Sequence, residues 1–349
     1  MKGRAMTDPG LVHVTRGNLV ESEHCGRIVV SDSAGHVAFK VGDSKIPVFP
    51  RSAVKALQAL PLVETGAADA LGLTDAELAL TCSSHNGEPA HIDAAASMLR
   101  KAGYEKTVLE CGAHWPRRLE DQRRLILGKT EPEAIHNNCS GKHAGFVCLA
   151  RSRSIDPAGY IRREHKVQQE IGACLQELTG QAHETDACGT DGCSIPTYAI
   201  PLESMAKAFA AFGTGEGLAP DRMRAAKRLR RACANHAFNV AGTDRFCTGV
   251  MDHFGERVFV KTGAEGVFCA TFPEVGLGVA LKCADGATRA SEVLMAHVIA
   301  AFLPLKADDE SFLEWYLRPT VRNWNGFEVG AVVASMNLVD ALRRASKVS

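Results

Sequence analysis

Strand-like sequence stands at both ends of this chain and helix-like sequence fills the middle. Over 11–41, polar and apolar residues alternate around the turn Asp32-Ser33-Ala34-Gly35, and Val37, Phe39 and Val41 keep a period of two. Pro47 and Pro50 break that pattern, and a helix is predicted from about Ser52, with Ser52 as its cap. Thr74 and Glu77 read as a capping box for a short helix ending before Cys82. Pro89 opens the next helix, with Ile92, Ala95, Ala96 and Leu99 as its apolar stripe and Gly103 as its stop. Helical spacing continues over about 140–151, 157–179, 200–212, 220–240 and 243–254. Strands return over 258–261, 267–272 and 279–281, before a helix over about 287–302.

The layout predicts an α/β protein: an α+β sandwich with an antiparallel sheet, flanking helices and an inserted helical region. With no linker between independent units, one domain over 1–349 is expected. Its sheet lobe would take about 10–50 and 256–335, and its helical lobe about 51–255. Hydrophobic residues (46%) suffice for a large core. Forty lysines and arginines cancel forty aspartates and glutamates, so no net field points to nucleic acid or membrane. The basic run over 224–231 reads as the solvated face of a helix. The N-terminal segment lacks the apolar core of a signal peptide, and no apolar run is of membrane-spanning length, so a cytoplasmic protein is expected. In that compartment the twelve cysteines are not expected to form disulfides. Cys148, Cys174 and Cys269 read as small buried apolar residues.

Three short strings carry chemistry: Ser52-Ala53-Val54-Lys55, Ser84-His85-Asn86 and Lys261-Thr262-Gly263. Their order, S-x-x-K, S-x-N, K-T-G, is that of the serine β-lactamase and penicillin-binding-protein active site. Singly, each has a plain structural role as helix cap, solvated lysine or strand-end turn. Together, on matching secondary structure, they point to a serine that attacks an amide or lactam carbonyl. On a helix, residues three apart are neighbours, so Lys55 can serve Ser52. A free lysine is protonated at neutral pH and must be brought down by burial or by a second positive charge, here Lys261. Ser84 would relay protons, and backbone N–H groups near Ser52 and on the K-T-G strand would hold the oxyanion.

A second group joins Cys139 and the lysine and histidine after it to Cys188, Asp191 and Cys193. On spacing alone, Cys139, His143, Cys188 and Cys193 could ligate zinc, or they could equally be buried loop thiols. His85 reads as a residue behind the site, the 111–115 string as a packed loop, and Asp244 and Arg245 as a helix cap and a surface charge.

The strings R-S-A-V-K (51–55), C-S-S-H-N-G-E (82–88), C-G-A-H-W-P (111–116), H-N-N-C-S-G-K-H-A-G-F (136–146), D-G-C-S-I-P (191–196) and V-K-T-G-A-E-G (260–266) resemble the class 3, rhizobial-type L-asparaginases of the asparaginase II family. The resemblance runs from about 10 to 335. It implies a fold similar to serine β-lactamases and their glutaminase relatives, and a homodimer that hydrolyses L-asparagine to aspartate and ammonia. It implies Ser52 as nucleophile, Lys55 as its base, and Ser84 with Lys261 as a second Ser-Lys pair. It also implies zinc on Cys139, Lys142 and Cys193, which replaces the set drawn from spacing. A lysine ligand must be neutral. Recognition of asparagine requires an anion for the ammonium, for which Asp191 is the candidate. It also requires a cation for the carboxylate, with Arg51 and His143 as candidates there or as support for Asp191. A glutaminase or broader amidase is the alternative within enzymes; a non-catalytic zinc-binding relic is the alternative outside them.

Overall fold

The computed structural model describes residues 8–183 and 186–347, so the ends of the expected 1–349 domain lie outside the described residues. Eight strands form one antiparallel sheet. They are β1 (Gly10–Arg16), β2 (Leu19–Ser31), β3 (Val37–Val41), β4 (Phe259–Thr262), β5 (Val267–Phe272), β6 (Leu277–Cys283), β7 (Thr320–Arg322) and β8 (Glu328–Ala334). The order is β7-β8-β1-β2-β6-β5-β4, with β3 pairing off β2. The two ends of the chain therefore interleave in one sheet: Val12 faces Ala334, and Val30 faces Val279.

The thirteen-residue β2 joins two environments. Its first half, LVESE, pairs with β1 and is exposed; its second half is buried between β6 and β3. The central strands β5 and β6 are apolar at almost every position because helices cover both faces. Leu202–Thr214 packs on one side and Thr288–Phe302 on the other. Gly278 lets the first of these come close: a Cβ there would lie 2.1 Å from Ala206 O. The Thr74–Glu77 capping box forms as read, with Thr74 accepting from Glu77 N. Pro89–Lys101 and Ser140–Ser152 stand where the periodicity placed them.

Three helix boundaries differ from the sequence reading. The 157–179 helix is only Lys166–Thr179. Gly159 at φ +74° turns the preceding segment, and His165 caps the helix through Val167 N. The 220–240 helix splits into Pro220–Asn235 and Ala237–Ala241, because His236 leaves helical backbone at φ −136°. The helix after 243 begins at Phe246, with Arg245 rather than Asp244 at its N-cap. The basic run over 224–231 lies on Pro220–Asn235, where Arg228 pairs with Asp69, Arg231 approaches Asp75, and Ala225, Leu229 and Cys233 face inward. No helix among the described residues is long and apolar enough to cross a membrane. The cysteines are all free, and Cys148, Cys174 and Cys269 are buried.

Candidate active site

The S-x-x-K segment enters as a 3-10 turn, Arg51–Val54, and continues into the helix Lys55–Gln58. Pro50 holds the N-cap position, so Ser52 sits inside the turn and caps nothing. Arg51 takes a left-handed φ of +52°, a strain of about 1–3 kcal/mol for a residue with a Cβ. That strain swings the backbone so that Ser52 faces a cavity of about 490 Å³. Strand β4 closes the other wall. Gly263 packs so tightly against the turn that a Cβ would lie 2.7 Å from Pro50 O and 3.1 Å from Ala53 N. The cavity holds Ser52, Ser84, Asn138, Arg245, Thr262 and Ala264, with His114, Trp115 and Arg117 on its rim. The 111–115 string thus lines a pocket and is not merely a packed loop. Asn137 Nδ2 holds it through Cys111 O (2.9 Å) and Gly112 O (3.0 Å).

Behind the cavity lie three lysines, Lys55, Lys142 and Lys261, exposed by only 0, 2 and 1%. Buried lysines are rare because an ammonium loses its hydration there. Lys55 Nζ reaches Ser83 O (2.5 Å), Ser84 Oγ (3.0 Å) and Cys139 Sγ (3.1 Å). Lys261 Nζ reaches Ser84 Oγ (2.9 Å) and Thr262 O (2.7 Å). Ser84 Oγ therefore sits between both amines, whereas no hydrogen bond joins Ser52 to Lys55. Burial first, and the Lys55 charge second, bring Lys261 down to about 7. The amine that burial brings near neutrality is the one on β4. The backbone N–H groups of Ser52 and Ala264 find no acceptor among the described residues.

On the far side of Lys55 lies a closed cluster. Lys142 Nζ reaches Cys193 Sγ at 2.9 Å, and the Cys193 and Cys139 thiols lie within hydrogen-bond reach. The Cys193 hydrogen bond and the two nearby lysines hold Cys139 well below the ordinary thiol range. Burial pushes Lys142 down, but the charges of Cys193, Cys139 and Asp191 more than offset this and raise it. Arg51 Nε donates to Asp191 Oδ1 at 2.8 Å. Burial pushes Asp191 up, and Lys142 and Arg51 together hold it below the usual carboxylate range. The two spacing-derived zinc ligands that the resemblance dropped stand apart. His143 donates or accepts through Nδ1 at Tyr160 Oη (2.7 Å), and half-buried Cys188 turns to Gly189 O. His143 is fully buried beside Phe146 and Tyr160 and does not line the Ser52 cavity. Neither Arg51 nor Asp191 lines it.

Arg245 differs most from its sequence reading. It is a pocket residue, not a surface charge: Nη1 donates to Asn86 Oδ1 (3.0 Å) and Ser84 O (3.3 Å). Burial lowers its pKa. Glu88 organises this corner by accepting from Asn86, Thr243 and Arg118, so the S-H-N-G-E string clamps the loop that carries Arg245. His85 lines the same pocket and reaches Ser140 Oγ at 2.9 Å. Nothing in the local spacing of Arg117 or Arg245 marks them as cavity residues; an arginine at a helix start looks the same whether it faces solvent or a cleft.

The family model for L-asparaginase II matches residues 12–334. The chain belongs to this family. That match spans every site residue described above, and membership makes the protein an asparaginase-type amidohydrolase acting on a small molecule. No curated protein matches the chain.

Proposed function

We propose that this member of the family hydrolyses the side-chain amide of L-asparagine to aspartate and ammonia, through an acyl-enzyme on Ser52. The observation that carries the reading is the placing of two serines in one cavity with two buried lysines on Ser84 behind them. The Ser52 N–H and Ala264 N–H are free to receive the oxyanion that forms when Ser52 Oγ attacks the amide carbonyl. Lys55 donates to Ser84 Oγ, and Lys261, near neutrality, can take the Ser84 proton. Ser84 thereby becomes the relay that takes the Ser52 proton and returns one to the departing ammonia. Water then attacks the ester by the same path and releases aspartate. The strand order and the S-x-x-K/K-T-G juxtaposition support a serine β-lactamase-like fold in one domain.

Cys139, Lys142 and Cys193 converge as two thiols and one amine, a donor set that fits zinc. Among the described residues no three His, Cys, Asp or Glu side chains gather as a metal cluster, so the amine of Lys142 is needed to complete the set. A zinc ion held there would supply Lewis-acid pull and tie the 139–142 turn to the 191–193 turn. Asparagine and glutamine differ by one methylene, worth about 1–3 kcal/mol in a pocket, so a substrate panel decides between them.

A second reading makes Ser84 the nucleophile, since it alone bonds both lysines. Ammonia release from L-asparagine, with mass spectrometry of the quenched enzyme, separates the two. Ser52→Ala should lose about 10⁴-fold or more in kcat and carry no acyl adduct. An adduct on the Ser84 peptide of the wild-type enzyme would reverse the assignment.

A further inference from the structure

Two of the groups assigned from sequence to grip the amino-acid end of the substrate pair with each other. Arg51 and Asp191 form an ion pair at 2.8 Å, outside the Ser52 cavity. Beside that cavity stand charges with no ion-pair partner among the described residues. Arg245 uses only Nη1, on two neutral oxygens, and its Nε–H and both Nη2–H groups find no acceptor among the described residues. Glu292 lies one helical turn beyond Thr288 and makes neither a hydrogen bond nor an ion pair among the described residues. It lines a second cavity of about 500 Å³ that shares Arg117, Arg245 and Thr288 with the first. The two cavities thus adjoin, with Arg245 at the junction and Glu292 beyond it.

A half-buried carboxylate and an arginine with donors unspent on the protein, near enough to feel each other but unpaired, stand open to a ligand at the junction of the two cavities. Arg117 adds positive charge on the same side. The complement of a cation and an anion held apart in one cleft is a zwitterion. We propose that Arg245 takes the α-carboxylate and Glu292 the α-ammonium of the substrate, so that this pair, and not Arg51 and Asp191, restricts the enzyme to free α-amino acid amides. The inference rests on the asparaginase reading for the identity of the amide, but it can be tested without turnover.

The test measures binding of L-asparagine and of succinamic acid, the same amide without the ammonium, to the Ser52→Ala protein by calorimetry. The same pair is then measured in Ser52→Ala with Glu292→Gln. The parent should prefer asparagine by about 100-fold, and Glu292→Gln should cut that ratio at least about tenfold by weakening asparagine alone. Arg245→Lys, which keeps the charge but not the fork, should weaken both ligands together, since both carry the carboxylate. 3-Aminopropanamide, which lacks the carboxylate, should bind parent and Arg245→Lys alike. Glu292 has no hydrogen bond to lose, so Glu292→Gln should melt with the parent. An unchanged asparagine-to-succinamate ratio in Glu292→Gln overturns the proposal, as does absence of asparagine binding. Selective binding by the parent with no ammonia release from the Ser52 enzyme would defeat the hydrolytic reading and leave this one standing.

Discussion

Two charged clusters lie on either side of Lys55, and they differ in completeness. In one, Arg51 pairs with Asp191 and Lys142 with Cys193, whose thiol lies within reach of Cys139. In the other, Ser52 N–H, Ala264 N–H, Arg245 and Glu292 point into cavities with bonds unmade. Donors and charges that line a cleft without protein partners are placed to meet a ligand. The closed cluster instead has the character of a brace: it ties the strained Arg51 turn, which carries Ser52, to the 191–193 loop.

The largest effect that would sharpen the contrast concerns the amine behind the open side. Lys261→Met should cost about 10²–10⁴-fold in kcat, the usual worth of a proton acceptor. In the wild type, Lys261 is held down near 7, so it is charged below that pH and neutral above it. The kcat/KM profile should therefore rise with pH through about 7, and the variant should lack that limb. A wild-type rate independent of pH from 6 to 8 would remove Lys261 from proton transfer. Next comes the brace. Stripping metal with a chelator should raise KM by more than it lowers kcat, measured by ammonia release before and after zinc is restored. A collapse of kcat at constant KM would move the metal into the chemistry and erase the division between clusters.

A smaller effect tests the contact between the walls. Gly263→Ala must push Pro50 or Ala53 aside, and should destabilise by about 1–3 kcal/mol in chemical denaturation while lowering kcat. The smallest should come from Cys188→Ser. Among the described residues its thiol hydrogen-bonds only Gly189 O, so zinc content should not change and stability should stay within about 0.5 kcal/mol. A loss of zinc there would restore the ligand set drawn from spacing alone.

Much of the fold was legible because it rests on local rules. The Thr74–Glu77 box, Pro89 at a helix start, and the 267–272 strand are each set by neighbours in the chain, and each stands as read. The three helix ends that moved did so at Gly159, His236 and Asp244, where a positive φ or a break in helical backbone overrides apolar periodicity. The Ser52, Lys55, Ser84 and Lys261 strings could be picked out by residue type and order, and the structure brings Ser84 between Lys55 and Lys261.

Who pairs with whom was not legible, because pairing is a distance between side chains brought together from remote segments. The sequence alone determined an α/β chain with a strand-helix-strand layout and marked the serine and lysine strings as candidates. Only the tertiary structure decided that Ser84 sits between both lysines, that Arg51 spends its charge on Asp191, and that Arg245 faces a cleft. Burial is the physical reason: it lowers Lys261, closes one cluster and leaves the other open, and it arises only when the two ends of the chain meet in one sheet.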